Sequence, residues 1–106
     1  MNVIVVGAGP AGLMAAEVLS QQGLRVEVYD AMPSAGRKFL LAGRGGLNLT
    51  HSEPLERFVT RLSPHEPRLE AMVRDFTPLA LRDWALGLGV DTFVGTSGRV
   101  FPTDMK

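Results

Sequence analysis

The stretch from Asn2 to Asp30, NVIVVGAGPAGLMAAEVLSQQGLRVEVYD, decides the fold of this chain. It opens with the β-branched apolar run NVIVV at residues 2–6, which predicts a parallel strand buried on both faces. A glycine-rich turn follows, and residues 11–22 then favour a helix that Gly23 ends. Residues 24–29, LRVEVY, alternate in character and are typical of a second strand. This order predicts one right-handed βαβ unit.

The turn after the first strand has the spacing GxGxxG, at Gly7, Gly9 and Gly12. Between a strand and a helix, the first glycine permits a tight turn, the second lets the backbone approach a pyrophosphate, and the third allows the helix to pack closely. The helix start adds unpaired N–H groups and the positive end of the helix dipole, an anion site that needs no basic side chain. We therefore predict that the whole turn binds a dinucleotide, with Pro10 and Ala11 contributing at the helix start.

Asp30 directly follows the second predicted strand. A carboxylate at this place can accept hydrogen bonds from the adenosine ribose hydroxyls and would repel a 2′-phosphate. FAD or NAD therefore fits the motif better than NADP. The alternative, a glycine turn with an unrelated aspartate, does not explain why strand, turn, helix and acidic residue occur together in this order.

Length and composition limit the number of domains, the partners and the cellular location that we expect. The chain has 106 residues, 45% of them hydrophobic and 21% charged, which suits one small globular domain and is too short for a complete two-domain enzyme. Eleven basic and eleven acidic residues cancel, so we expect neither a nucleic-acid partner nor a membrane-surface partner. The absence of cysteine excludes disulfides, thiolate metal ligands and a thiol nucleophile, and it favours a reducing, cytoplasmic location. We predict no metal site.

The fold class that we predict is α/β: a partial Rossmann-like FAD/NAD(P)-binding domain with a βαβ start, followed by short helices and a β-hairpin. It forms one domain over residues 1–106, which we expect to be a truncated one. Its predicted parts are the βαβ dinucleotide motif (1–30), a cofactor loop (31–52), three short helices (53–89) and a hairpin (90–102).

Helix starts in the second half of the chain are marked by a polar residue and a proline. The three pairs are Ser52 with Pro54, Ser63 with Pro64, and Thr77 with Pro78. Trp84 falls on an apolar helical stripe and is predicted to be in the core. His51 and His65, the two histidines, have no carboxylate or serine at motif spacing, so we expect surface or capping roles for them.

Residues 36–50, GRKFLLAGRGGLNLT, follow the βαβ unit as a long glycine-rich segment. Together with the N-terminal GxGxxG, they resemble the N-terminal FAD-binding segment of a bacterial NAD(P)/FAD-dependent oxidoreductase family. That family lies within the glutathione-reductase-like flavoprotein superfamily and includes bile-acid-pathway reductases and aminoacetone oxidases. The resemblance covers nearly the whole chain. Leu47 stands where many relatives have cysteine, and the arginine of their pattern is displaced, so a thiol role is not carried over.

The resemblance implies FAD as the cofactor and NAD(P)H as an electron donor of the parent protein. It places Gly36 and Arg37, and with them Lys38, near the pyrophosphate and ribityl chain, and Asn48 near the flavin ring. For Arg37 and Lys38 the alternative is a pair of solvated loop cations, and for Asn48 it is an Asx turn or a helix cap. Arg44 could contact a phosphate or an acidic substrate, or be exposed on its loop.

The predicted function is the FAD-binding N-terminal part of a flavin-dependent oxidoreductase that holds the ADP half of FAD. Its catalytic residues are unassigned, and we expect the 106-residue chain alone to be inactive. Two alternatives stay open: the NAD-binding Rossmann domain of a dehydrogenase, and a non-catalytic nucleotide-binding or interaction module. Two parallel strands make an incomplete sheet, so we expect the isolated chain to self-associate through that sheet, to bury its open face under its own three helices, or to be partly molten.

Overall fold

The computed structural model describes residues 1–36 and 47–103. The chain divides into two compact units, Met1–Arg44 and Gly45–Lys106. Whether they act as the single domain expected from the sequence stays a prediction. Within the described residues, no helix is both long enough and apolar enough to cross a membrane.

The first unit is the predicted βαβ motif. Strand β1 (Asn2–Val6) leads into helix α1 (Pro10–Gln21), which is followed by strand β2 (Arg25–Tyr29). The strands pair in parallel, with Val3 opposite Val26. Strand pairing across an intervening helix is what the sequence order predicted.

Helix α1 ends as its sequence predicts. Gly23 has φ +79°, a left-handed conformation that costs little for glycine alone. Its N–H donates to the Ser20 carbonyl at 3.0 Å, and the Leu24 N–H reaches the Leu19 carbonyl at 3.4 Å. This pair of bonds is a Schellman motif, which satisfies carbonyls that a helix end otherwise leaves open.

The burial of β1 differs from the predicted one. In the helix that packs beside it, the apolar residues Leu13 and Val18 are exposed. In β1, Val5 lies on the helix side, whereas Ile4 and Val6, which alternate with it, are 61% and 84% exposed. The prediction that NVIVV is buried on both faces is therefore wrong for this chain, because α1 covers only one side of the two-stranded sheet.

The second unit contains a three-stranded antiparallel sheet and helices. Strand β3 (Thr50–His51) is followed by helix α2 (Leu55–Phe58), a 3₁₀ turn (Val59–Arg61), α3 (Pro67–Asp75), α4 (Pro78–Gly87), β4 (Thr92–Val94) and β5 (Arg99–Pro102). The strand order is β3-β5-β4. The predicted hairpin is β4–β5, with Phe93 opposite Phe101 and ring centroids 5.8 Å apart. Its core is built around Val100, which is fully buried, with Val59 and Ala85.

Strand β3 was not predicted. Thr50 and His51 fall in the segment expected to be a loop, yet they pair with Val100 and Arg99 of β5. Two residues carry no periodicity, so local sequence cannot distinguish such a strand from coil. The pairing therefore depends on the hairpin, which lies far along the chain.

The three predicted helix caps have different outcomes. Thr77 caps α4, since its hydroxyl oxygen accepts from the Ala80 N–H at 3.1 Å. Ser63 does not cap α3, because Glu66 takes that place and accepts from the Arg68 N–H. Helix α2 has no side-chain cap. Trp84, predicted to be in the core, is half-buried.

Candidate functional site

The glycine turn joins β1 to α1 and is held to β2 at its first residue. Gly7 has φ +104°, which L side chains rarely adopt, and its N–H donates to the Tyr29 carbonyl at 2.7 Å. The turn thus begins where both strands end. In parallel sheets this carboxyl-terminal edge is the place where ligands bind.

The other two glycines of the motif have different surroundings. A Cβ on Gly12 would collide with the Gly7 carbonyl oxygen, and would lie 2.9 Å from the Gly7 carbonyl carbon and 3.4 Å from Val5 Cγ1. A Cβ on Gly9 would meet no heavy atom within 4 Å. Gly12 is therefore needed for helix–strand packing, whereas Gly9 leaves open space beside the turn.

The start of α1 can receive an anion. Pro10 is the first helical residue and has no N–H, and the Leu13 N–H already donates to the Gly9 carbonyl at 2.9 Å. Helix geometry leaves the N–H groups of Ala11 and Gly12 without an intrahelical acceptor. The first turn contains no acidic side chain that could occupy this position. These amides, with the helix dipole, favour a phosphate group.

Ala8 links the turn to the chain that follows β2. Ala8 is only 4% exposed, and its N–H donates to Asp30 Oδ2 at 2.7 Å. Its carbonyl oxygen accepts from the Gly36 N–H, also at 2.7 Å. Gly36 is buried with φ +66°, so the loop after β2 returns to the glycine turn at a residue whose conformation favours glycine.

The Asp30 carboxylate stands beside the turn, at the end of β2. Oδ2 accepts from Ala8, and Oδ1 accepts from the Met32 N–H at 2.7 Å. These backbone N–H groups, Met32 first and Ala8 second, hold the pKa of Asp30 below its usual range, against an opposing effect of desolvation. Asp30 is thus an ionised hydrogen-bond acceptor at neutral pH, and as a residue it remains exposed to solvent.

The predicted cofactor residues fall into three groups. The turn residues Gly7, Gly9, Pro10, Ala11 and Gly12 lie together with Asp30 and Gly36 in the first unit. Arg37, Lys38 and also Arg44 lie outside the described residues. Asn48 is an exposed residue of the second unit. The roles proposed for all of these residues stay predictions.

His51 has a structural role within the second unit. Its Nδ1 accepts from the Glu53 N–H at 3.0 Å, so its Nε2, 3.2 Å from the Ser97 carbonyl oxygen, is the nitrogen that donates. The ring lies over Gly98, where a Cβ would come within 2.6 Å of His51 Cε1. The ring thereby joins β3 to the turn between β4 and β5, a contact that the sequence did not predict.

A cleft of about 440 Å³ in the second unit is bordered by His51–Glu53, Leu55 and the start of α4. Its polar side chains are already engaged. Glu53 is held by Arg61 through two hydrogen bonds of 2.9 Å, which keep the pKa of Glu53 below its usual range. Arg82 donates from Nε to Thr92 Oγ1 at 2.8 Å. Within residues 1–36 and 47–103, no cluster of three or more histidine or acidic residues could hold a metal ion.

The family model of the HI0933-like protein Rossmann domain matches residues 1–106. The chain belongs to this family. The match confirms the resemblance to flavoprotein oxidoreductases and the Rossmann-like α/β fold class that the sequence predicted. The βαβ unit with its glycine turn is accordingly the start of a Rossmann domain.

Individual relatives match parts of the chain. A 3-oxosteroid 1-dehydrogenase of Mycolicibacterium smegmatis is 34% identical over 90 residues, covering 83% of this chain and 16% of the relative. A ribosomal RNA dihydrouridine synthase of Haemophilus influenzae is 39% identical over 62 residues, covering 58% of the chain and 16% of the relative. A D-amino acid dehydrogenase of Dechloromonas aromatica is 39% identical over 54 residues, covering 51% of the chain and 13% of the relative. The chain thus spans about a sixth or less of these relatives.

Proposed function

We propose that this chain binds FAD through its ADP half and serves as the FAD-binding N-terminal part of a flavin-dependent oxidoreductase. One observation carries the proposal. The ionised Asp30 carboxylate and the amide-lined start of α1 are joined through Ala8, at the edge where β1 and β2 both end. An acceptor for ribose hydroxyls and a site for phosphate thus lie side by side, which is what the adenosine diphosphate end of a dinucleotide requires.

The open side of the turn fits this ligand. Gly9 has no neighbouring heavy atom within 4 Å of the place where a Cβ would lie, so a pyrophosphate can approach the backbone there. The N–H groups of Ala11 and Gly12 would donate to the phosphate oxygens, and Asp30 would accept from the ribose. FAD, once bound, supplies the redox chemistry of the flavin ring, whereas these residues bind and orient it.

The names of several relatives support the oxidoreductase part of the proposal. Those matched by the chain include a 3-oxosteroid 1-dehydrogenase, a D-amino acid dehydrogenase and the sarcosine oxidase subunit alpha of a Corynebacterium strain. These names differ in the substrate, so they support an oxidoreductase without indicating which substrate it takes. NAD(P)H as electron donor of the parent protein and a cytoplasmic location are further parts of the proposal, supported by the sequence resemblance and by the lack of cysteine.

The test is a titration of the complete 106-residue chain, monitored by quenching of flavin fluorescence for FAD and by calorimetry for ADP and NAD. We expect ADP and FAD to compete for one site. Gly9→Val should abolish binding of both, because a branched side chain would fill the space beside the turn. Gly87→Ala, in α4, is the matched control, since a Cβ there also meets nothing within 4 Å. Binding of NAD in preference to FAD would favour the dehydrogenase alternative, and binding of none of the three would refute the proposal.

We also propose that the uncovered side of the β1–β2 sheet associates with a second copy of the chain. Ile4 and Val6 are exposed there, and apolar strand residues without a covering layer favour association. Light scattering across a concentration series should show a dimer that Val6→Lys converts to a monomer. A wild-type chain that remains monomeric at all concentrations would contradict this.

A further inference from the structure

Ala8 is the only residue between the first two glycines of the turn, and both of its backbone polar groups are engaged. Its N–H donates to Asp30 and its carbonyl accepts from Gly36, each at 2.7 Å. Because Ala8 is buried, water is not available to replace either partner at low cost. The conformation of the turn therefore depends on residues that follow β2.

The bond from Ala8 to Asp30 also decides which amides are available to a ligand. An N–H group that donates to a carboxylate 2.7 Å away is withdrawn from phosphate binding. The amides of Gly9, Ala11 and Gly12 are the ones that the helix start leaves to an anion. Without the carboxylate, the N–H of the buried Ala8 would lack its acceptor, and the turn would lose the bond that selects this arrangement.

The second carboxylate oxygen keeps Asp30 in place. Oδ1 accepts from the Met32 N–H two residues along the chain, which closes an Asx-type turn. A carboxylate has about four lone-pair positions, so two remain for ribose hydroxyls. The same group can thus hold the turn and receive the ribose at the same time.

We infer that Asp30 is a positioning residue for the phosphate-binding turn, in addition to accepting from the ribose. The inference rests on the proposed function, because the ligand concerned is the ADP half of FAD. The inference has a specific consequence: loss of Asp30 must lower the affinity even for ligands that have no ribose hydroxyls. If Asp30 were only an acceptor for the ribose, its loss would lower the affinity only for ligands that carry those hydroxyls.

The experiment compares ADP with 2′,3′-dideoxy-ADP, each titrated calorimetrically into the complete chain and into its Asp30→Asn variant. Asparagine has nearly the same shape but one acceptor oxygen for two N–H donors, so one of them meets an NH₂ group. We expect the affinity for dideoxy-ADP to fall about ten-fold or more in Asp30→Asn, and that for ADP to fall at least as much. The matched control is Glu27→Gln, since this β2 carboxylate accepts from the Tyr29 hydroxyl at 3.1 Å and lies 3.8 Å from Arg25 Nη2, and the change should leave both affinities unchanged.

A dideoxy-ADP affinity that is the same in wild type and Asp30→Asn would overturn the inference, whatever happens to ADP. Amide hydrogen exchange gives an independent measurement that needs no ligand. In the wild-type chain it already tests whether the Ala8 N–H is hydrogen-bonded. The Ala8 N–H should be protected in the wild-type chain and exchange faster in Asp30→Asn, and an unprotected wild-type Ala8 N–H would also overturn the inference. If wild type binds neither nucleotide, the proposed function fails, while the exchange data still test the contact between Asp30 and Ala8.

Discussion

Gly12→Ala tests the packing of α1 on β1 directly. The added Cβ would collide with the carbonyl oxygen of Gly7 and lie 2.9 Å from its carbonyl carbon, where ordinary contacts begin at 3.4 Å. Both atoms belong to the backbone of the turn, so no side-chain rotation can relieve the collision. The start of the helix would have to move away from β1, and the amides that it presents would move with it.

The expected cost follows from this geometry. Overpacking in a protein interior costs about 1–3 kcal/mol, and a collision with backbone belongs at the upper end of that range. About 3 kcal/mol is a large part of the 5–15 kcal/mol by which most domains are stable. For a chain of this size it lowers the midpoint of thermal unfolding by roughly 12–24 °C.

The assay is urea and thermal unfolding followed by circular dichroism, with Gly9→Ala as the matched control. Gly9 has φ −82° and ψ −174°, which alanine adopts readily, and open space where its Cβ would lie. Gly9→Ala should therefore unfold like wild type or slightly later, because alanine restricts the unfolded chain. Its affinity for FAD should nevertheless fall, since the methyl group faces the proposed pyrophosphate position.

The two variants thus separate folding from binding. Gly12→Ala should lower both the stability and the affinity for FAD, whereas Gly9→Ala should lower the affinity alone. If Gly12→Ala unfolds at the same urea concentration as wild type, the close contact between helix and turn is not what this glycine provides, and the reasoning fails.

Three further predictions concern the second unit. Gly98→Ala should cost about 1–3 kcal/mol of stability, because φ is +87° and the methyl group would collide with His51. Gly89→Ala is the control and should cost less, since its φ is +85° but its Cβ would lie in open space. Equal urea midpoints for the two variants would contradict the contact between residue 98 and His51. Glu53 has its pKa lowered from its ordinary 4.5 by an arginine partner, so its contribution to stability is present above that pH and lost as the pH falls through the lowered pKa. Glu53→Gln should hence have a lower thermal midpoint than wild type at pH 6, and the difference should shrink as the pH falls below 4.5; a difference that does not change with pH would refute this. Thr77→Ala should cost about 1 kcal/mol through its lost cap while Thr77→Ser costs less, and identical unfolding curves for all three would show that the cap contributes nothing.

Much of the candidate site could be predicted because its signals are local. The roles of Gly7 and Gly12 follow from their places between a strand and a helix, and the structure shows the positive φ and the close approach expected of them. The end of α1 at Gly23 and the cap at Thr77 are local in the same sense. Each needs only a few neighbouring residues to be specified.

The faces of the elements were harder to predict. The apolar run of β1 indicated a strand buried on both faces, but it could not show which side another layer covers. Leu13 and Val18 of α1 are exposed, whereas Gly12 is the helix position that faces Val5 of β1. The periodicity of a segment defines a stripe, whereas burial depends on what packs against it.

The sequence by itself determined the βαβ order, the glycine turn and the position of Asp30 at the end of β2, because hydrophobic pattern and backbone preference act over short stretches of chain. Only the tertiary structure decided that Asp30 holds Ala8, that Gly36 returns to the turn, and that β3 joins the hairpin through β5. These contacts join residues separated by 22 positions or more along the chain. No local pattern encodes such a contact, since it forms only when folding brings the two segments together.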